Sequence, residues 1–163
     1  MEAVLAQYEQ VAGVSHPDTL MSRNNLAMAY VSAGRAHDAI PLLEMTLPEK
    51  ERVLGPTHPE TFASRYNLAG AYWATGRVDD AVSLFEATLS DAERVLDGSH
   101  PITLRSRHNL ASIYRATGRV SEAIPLYEAA LAELERGFGA DHPDTVTARM
   151  NLERARSEAS PSS

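Results

Sequence analysis

The chain is 163 residues long, 44% hydrophobic, and carries a formal net charge of −7, a length that fits one domain or a short array. Its acidic balance argues against nucleic-acid binding, which needs surplus Lys and Arg, and no apolar run approaches the roughly 18 residues of a membrane span. There is no cysteine, so disulfides and thiolate metal sites are excluded and a reducing, cytoplasmic setting is expected.

In chain order, the first residues, "MEAVLAQYEQ", carry an acid where a signal peptide would carry basic residues before an apolar run. Residues 1–15 match the end of a unit that recurs downstream, with Glu2, Leu5 and Val11 one period before Glu44, Leu47 and Val53. The spacing predicts the second half of a preceding repeat, its apolar face lacking a partner helix, and thus the C-terminal piece of a longer protein. Complete repeats follow at 16–57, 58–99 and 100–141. Shifting the first by 42 residues onto the second gives 22 identities in 42 positions, and internal repetition of this kind dominates any fold reading. The recurring string is "HP-x-T…SRxNLAxxY…GR…A(I/V)xL…L…ER".

Each repeat predicts two helices. The first opens at Ser15, Thr57, Ser99 or Asp141 as the expected cap, with proline inside the first turn. An acid stands three residues after the cap in three copies (Asp18, Glu60, Asp144), as in a capping box. Gly34, Gly76 and Gly118 are placed to end the first helix in a left-handed conformation. A second helix is expected over about 37–54 and its equivalents, with Ala39, Ile40, Leu43 and Leu47 at helical spacing. Pro48, mid-helix where the other copies have Ser90 and Ala132, predicts a local break in the form of a bend near Glu44–Pro48, absent from 79–96. Residues 142–158 begin a fourth copy in which Glu153 and Arg156 replace a packing Ala and Tyr. They read as a capping helix, followed by a disordered tail at 159–163. Fourteen of the fifteen basic residues are Arg and Lys50 is the one lysine. With abundant Ala, this points to a high-GC bacterial genome.

Four histidines, 16, 58, 100 and 142, share the 42-residue ruler. Metal–nitrogen bonds of about 2.0–2.1 Å cannot span stacked helices roughly 8–10 Å apart, so these are expected to be connector residues. Arg23, Arg65, Arg107 and Arg149 recur with Glu44, Glu86 and Glu128. Repeated salt bridges and a row of cations facing an acidic partner are the two readings. No Walker loop, HExxH or GxSxG elbow is present. No enzymatic activity, cofactor or metal is expected.

The "NLAxxY…G…A" pattern resembles the tetratricopeptide repeat, and the 42-residue period, "HPxT" opening and "ERVLG" close are similar to its kinesin-light-chain-type variant. One departure is the arginine ladder, which stands where the general pattern places a large apolar residue. The resemblance implies an all-α, right-handed superhelical array, residues 1–158 forming one array whose first helices line a concave groove. It also implies that an asparagine ladder (Asn25, Asn67, Asn109, Asn151) lies at that groove, where its amides can bond a peptide main chain. The alternative is a bond to the neighbouring repeat's backbone. The facing sets it implies are Met21, Asn24, Met28 and Val31; Ala63, Tyr66, Gly70 and Trp73; Arg105, His108, Ser112 and Arg115; and Met150 with Arg154, a gradient from apolar through aromatic to basic. Met28, Gly70 and Ser112 stand where carboxylate-clamp arrays have Asn, so that clamp is missing.

The expected function is a non-catalytic protein–protein interaction scaffold. Its peptide-binding residues are Asn24, Asn25, Met28, Tyr66, Asn67, Trp73, Arg105, His108, Asn109, Ser112, Arg115 and Asn151, and its partner a protein or acidic peptide. The alternative is a self-association or regulatory module at the C-terminus of a larger signalling protein, such as a nucleotide-binding switch ATPase, acting through the open N-terminal half repeat.

Overall fold

A computed structural model describes residues 2–160. They form eight α-helices: α1 (Glu2–Val11), α2 (Pro17–Ser32), α3 (Ala36–Leu54), α4 (Pro59–Ala74), α5 (Val78–Val95), α6 (Pro101–Ala116), α7 (Val120–Phe138) and α8 (Pro143–Ala159). No strand occurs among the described residues. The helices fall into two compact units, one up to Thr88 and one from Leu89 onward, and α5 contributes to both.

First helices begin one residue later than expected. His16, His58, His100 and His142 are the caps, each extended, with proline following in the first turn. Each imidazole Nδ1 accepts the backbone N–H two residues on, at 3.2, 3.2, 3.2 and 3.3 Å. The correction has a simple cause. The residue before a proline is steered away from helical φ/ψ, so the histidine is the last extended residue, and its Nδ1 stands where an Asn or Asp oxygen would cap. The acid that was to close a capping box falls too early in the turn for that role. The motif's threonine, Thr19, Thr61, Thr103 or Thr145, is fully buried, and Thr61 Oγ1 donates to the Gly55 carbonyl at 2.8 Å. At the other end, Gly34, Gly76 and Gly118 take φ of +74°, +78° and +79° just past their helices, a conformation that side chains resist.

Within the first unit, Ala27, Ala39, Ile40, Leu43, Leu68 and Ala71 form a closed core flanked by Tyr30, Leu47 and Tyr72. The alanines let α2, α3 and α4 approach closely. The second unit buries Leu110, Ala111, Ile113, Tyr114, Ala123, Tyr127, Ala130, Ala148, Leu152 and Ala155 from α6, α7 and α8. The break expected at Pro48 does not interrupt α3, which stays helical through Pro41 and Pro48. Packing on α2 and α4 holds the helix across the hydrogen bond a proline cannot donate. The last helix runs to Ala159, into the segment expected to be disordered, whose final residues, 161–163, lie outside the described residues.

Candidate functional site

The recurrent arginines are paired, but with a different set of acids from the one expected. Arg23 Nη2 meets Glu9 at 2.6 Å. Arg65 donates through Nε and Nη2 to Glu51 at 3.0 and 2.7 Å, and Arg107 does the same to Glu93 at 3.0 and 2.8 Å. Arg149 Nη2 meets Glu135 at 2.7 Å. Each acid lies fourteen residues back, on the preceding second helix. The Arg23 side chain is only 3% exposed, so the departure from an apolar residue at this position is met by a buried, neutralised cation.

Glu44 and its equivalents serve another contact. The Tyr72 hydroxyl donates to Glu44 at 2.8 Å, Tyr30 donates to Glu2, and in α8 Arg156 takes the tyrosine's place, reaching Glu128 at 2.7 Å. Arg35, Arg77 and Arg119 lie over the rings of Tyr30, Tyr72 and Tyr114 at 4.5, 4.1 and 4.0 Å, within cation–π range. Burial, and then the bond to Glu44, push the Tyr72 hydroxyl up to about 12.

Structural pairing thus absorbs the arginine and tyrosine ladders and leaves the residues assigned to the groove. In the first unit, Asn67 Nδ2 donates to Asn24 Oδ1 at 3.3 Å, a bond to a side chain of the neighbouring repeat rather than to its backbone. Met28 and Tyr66 are half-buried, while Asn25 and Trp73 are exposed; Tyr66 meets Phe85 edge-to-face at 5.8 Å. In the second unit, His108 packs edge-to-face on Tyr127 at 6.0 Å, and its burial lowers its pKa. Ser112 Oγ and Tyr127 Oη are 3.0 Å apart. Arg115 reaches Glu158 at 2.9 Å, and the influence of the Tyr127 hydroxyl, then of Glu158, raises its pKa. The basic end expected of the gradient is therefore partly neutralised from within, Arg115 by Glu158. Arg105 is exposed. Asn109 and Asn151 are half-buried.

A separate cleft of about 450 Å³ opens between α1, α2 and α3, lined by Leu5, Leu26, Tyr30, Arg35 and Leu42 among others, and by none of the asparagines. Among the described residues, no three acid or histidine side chains gather as a metal site, and no helix is long and apolar enough to cross a membrane.

Helix pairs of one design, clasped by recurring ion pairs, define a helical-repeat scaffold. Two family profiles described as tetratricopeptide repeat match residues 19–60 and residues 60–132 and 107–160. A crystal structure of a Podosopora anserina kinesin light chain-type protein with nearly identical TPR-like repeats is 34% identical. It aligns over 97% of this chain and 75% of its own, with a TM-score of 0.86. BtubC (BKLC) from P. vanneervenii, at 21% identity, aligns over 88% of this chain and 58% of its own with a TM-score of 0.79. The Yersinia enterocolitica type III secretion translocator chaperone SycD, at 17%, aligns over 88% of each chain at 0.65. These last two share the fold. No curated protein matches the chain by sequence. The chain belongs to the tetratricopeptide repeat family, with repeats of the kinesin-light-chain type.

Proposed function

We propose that the chain is a non-catalytic protein-interaction scaffold that binds a peptide segment of a partner protein along its first helices, in the cytoplasm. One observation carries the reading. The asparagine recurs in every copy, yet the Asn25, Asn109 and Asn151 amides form no hydrogen bond among the described residues, although Asn109 and Asn151 are half-buried. These amides still reach water, so they carry no desolvation penalty, and they are open to a ligand's main chain, which would supply both the donor and the acceptor an amide wants. In the first unit, Met28, Tyr66 and Trp73 would meet apolar side chains of a ligand bound there.

The test is to capture partners on the immobilised chain and titrate them against variants. Asn109→Ala with Asn151→Ala is expected to weaken different partners about equally while the melting temperature holds. Trp73→Ala should weaken a subset, by about 2 kcal/mol or more if the ring is a desolvated anchor. A lower melting temperature with unchanged binding would assign the asparagines to the fold instead.

A second reading, self-association, rests on α1. Val4 and Val11 are 51% and 79% exposed, whereas the residues matching Val4 in the complete copies, Thr46, Thr88 and Ala130, are buried. Sedimentation of the full chain should show a dimer that Val4→Glu dissolves if this face pairs, and a monomer at all concentrations if it does not.

A further inference from the structure

The ion pair between Arg115 and Glu158 stands apart from the rest. The Arg–Glu pairs fourteen residues apart and the contacts to Glu2, Glu44 and Glu128 recur with the repeat; they belong to stacking. Position 115 instead matches Val31 and Trp73, and position 158 matches Ser32, Ala74 and Ala116. Nothing in the repeat's own packing calls for this pair. Both partners remain in contact with solvent, at 27% and 39% exposure. The Tyr127 hydroxyl, on a residue only 1% exposed, lies close enough to raise the Arg115 pKa, and Ser112 Oγ is 3.0 Å from that hydroxyl. The same helix carries Asn109 and α8 carries Asn151, whose amides form no hydrogen bond among the described residues.

A guanidinium backed by hydroxyls binds carboxylates well, because charge-assisted bonds are shorter and stronger than neutral ones. Here the carboxylate comes from the last turn of α8. We infer that Arg115, positioned from within by buried Tyr127 and its neighbour Ser112, forms a subsite for an Asp or Glu side chain of the partner peptide, and that Glu158 occupies it in cis as a built-in competitor. The inference rests on the peptide-binding reading above and names what one position of that peptide carries. Solvent-exposed pairs are held weakly, so an incoming acid can displace Glu158 without unfolding α8.

The test uses the full chain and two defined probes, N-acetylated and C-amidated tetraglutamate and tetraglutamine. The readout is the Arg115 Nε–H resonance, identified by its loss in Arg115→Lys. Glu158→Gln and Glu158→Ser are both used, since a Gln amide can itself bond Arg115, whereas Ser is the residue at the matching position 32. Both are expected to bind tetraglutamate roughly two- to fivefold more tightly than the wild type, the competing strength of an exposed ion pair. Tetraglutamine should move the signal in none of them, and Tyr127→Phe in the Glu158→Ser background should reduce the gain. Equal titration of the wild type and both variants would overturn the inference, as would equal response to the two probes. Faster amide exchange over residues 152–159 with no gain in affinity would also overturn it, leaving the pair as a staple for α8. Tetraglutamate reports on Arg115 and not on the asparagines. Failure of the asparagine variants to affect partner binding would therefore sink the wider reading while leaving this gain in place, and the converse holds too.

Discussion

Each recurrent arginine depends on one acid, and the cost of losing that acid follows burial. Arg65 is buried and donates twice to Glu51. Glu51→Gln is therefore expected to cost about 1–3 kcal/mol, the range for hydrogen bonds to charged groups, as read from urea unfolding. Arg94, exposed and paired with Asp91 within one helical turn, should change stability by less than about 0.5 kcal/mol when replaced by Ala. Tyr72 provides a pH test. Its hydroxyl keeps its proton up to about 12 in the fold, against about 10 in an unfolded chain. Between those values the folded state binds more protons, so the contribution is full below the lower value and is lost as pH rises toward the higher one. Tyr72→Phe should remove that part of the alkaline loss of stability, measured by unfolding at fixed pH values in this window. The arginine ladder was legible in the sequence, but its partners were not. Glu44 and Glu51 both recur with the same period, and periodicity cannot choose between two acids seven residues apart on one helix. The choice is made in space, where Glu51 sits near the end of α3 within reach of Arg65 on α4, and Glu44 faces Tyr72.

Helix boundaries were easier to read because proline and glycine punctuate them. The His-Pro step and the left-handed glycines bracket every complete first helix within a residue or two of the expected limits. What escaped was which residue caps: histidine is a less usual cap than serine or threonine, and only the position of Nδ1 reveals it. His58→Ala is accordingly expected to cost about 1 kcal/mol, the usual loss for a side-chain cap, while His58→Asn should recover most of it; thermal unfolding of the two variants makes the comparison. Pro48 taught the opposite lesson. Local chemistry forecast a bend, and the packed face of α3, with Ile40, Leu43 and Thr46 buried, keeps the helix continuous through the proline. Leu43→Ala, at a fully buried site, should cost about 2–5 kcal/mol, well above any of the cap changes.

Across the whole molecule, the repeat was visible at once as a 42-residue period, whereas the assignment of side chains to fold or partner was not. Recurrence marks both kinds of residue alike. Arg65 and Asn109 each repeat in register, and only hydrogen bonding separates a spent guanidinium from an unspent amide. The fixed offsets have a consequence for how such genes can change. Because every Arg–Glu clasp spans fourteen residues, excision of residues 52–93, one full period, would bring Arg107 to the same offset from Glu51 that Arg65 now has, and Tyr114 to the offset Tyr72 has from Glu44. Recombination between copies can therefore shorten the chain by a whole period while keeping the Arg–Glu and Tyr–Glu contacts at the join. This excision also replaces Glu60, the partner of buried Lys50 at 3.0 Å, by Ile102. The shortened chain should therefore unfold cooperatively but gain stability when Lys50 is changed to Ala, the residue at the matching position 92; the other matching position, Leu134, is likewise uncharged. The clasp makes copy number a heritable variable that selection can adjust while the Arg–Glu pair at each junction stays the same.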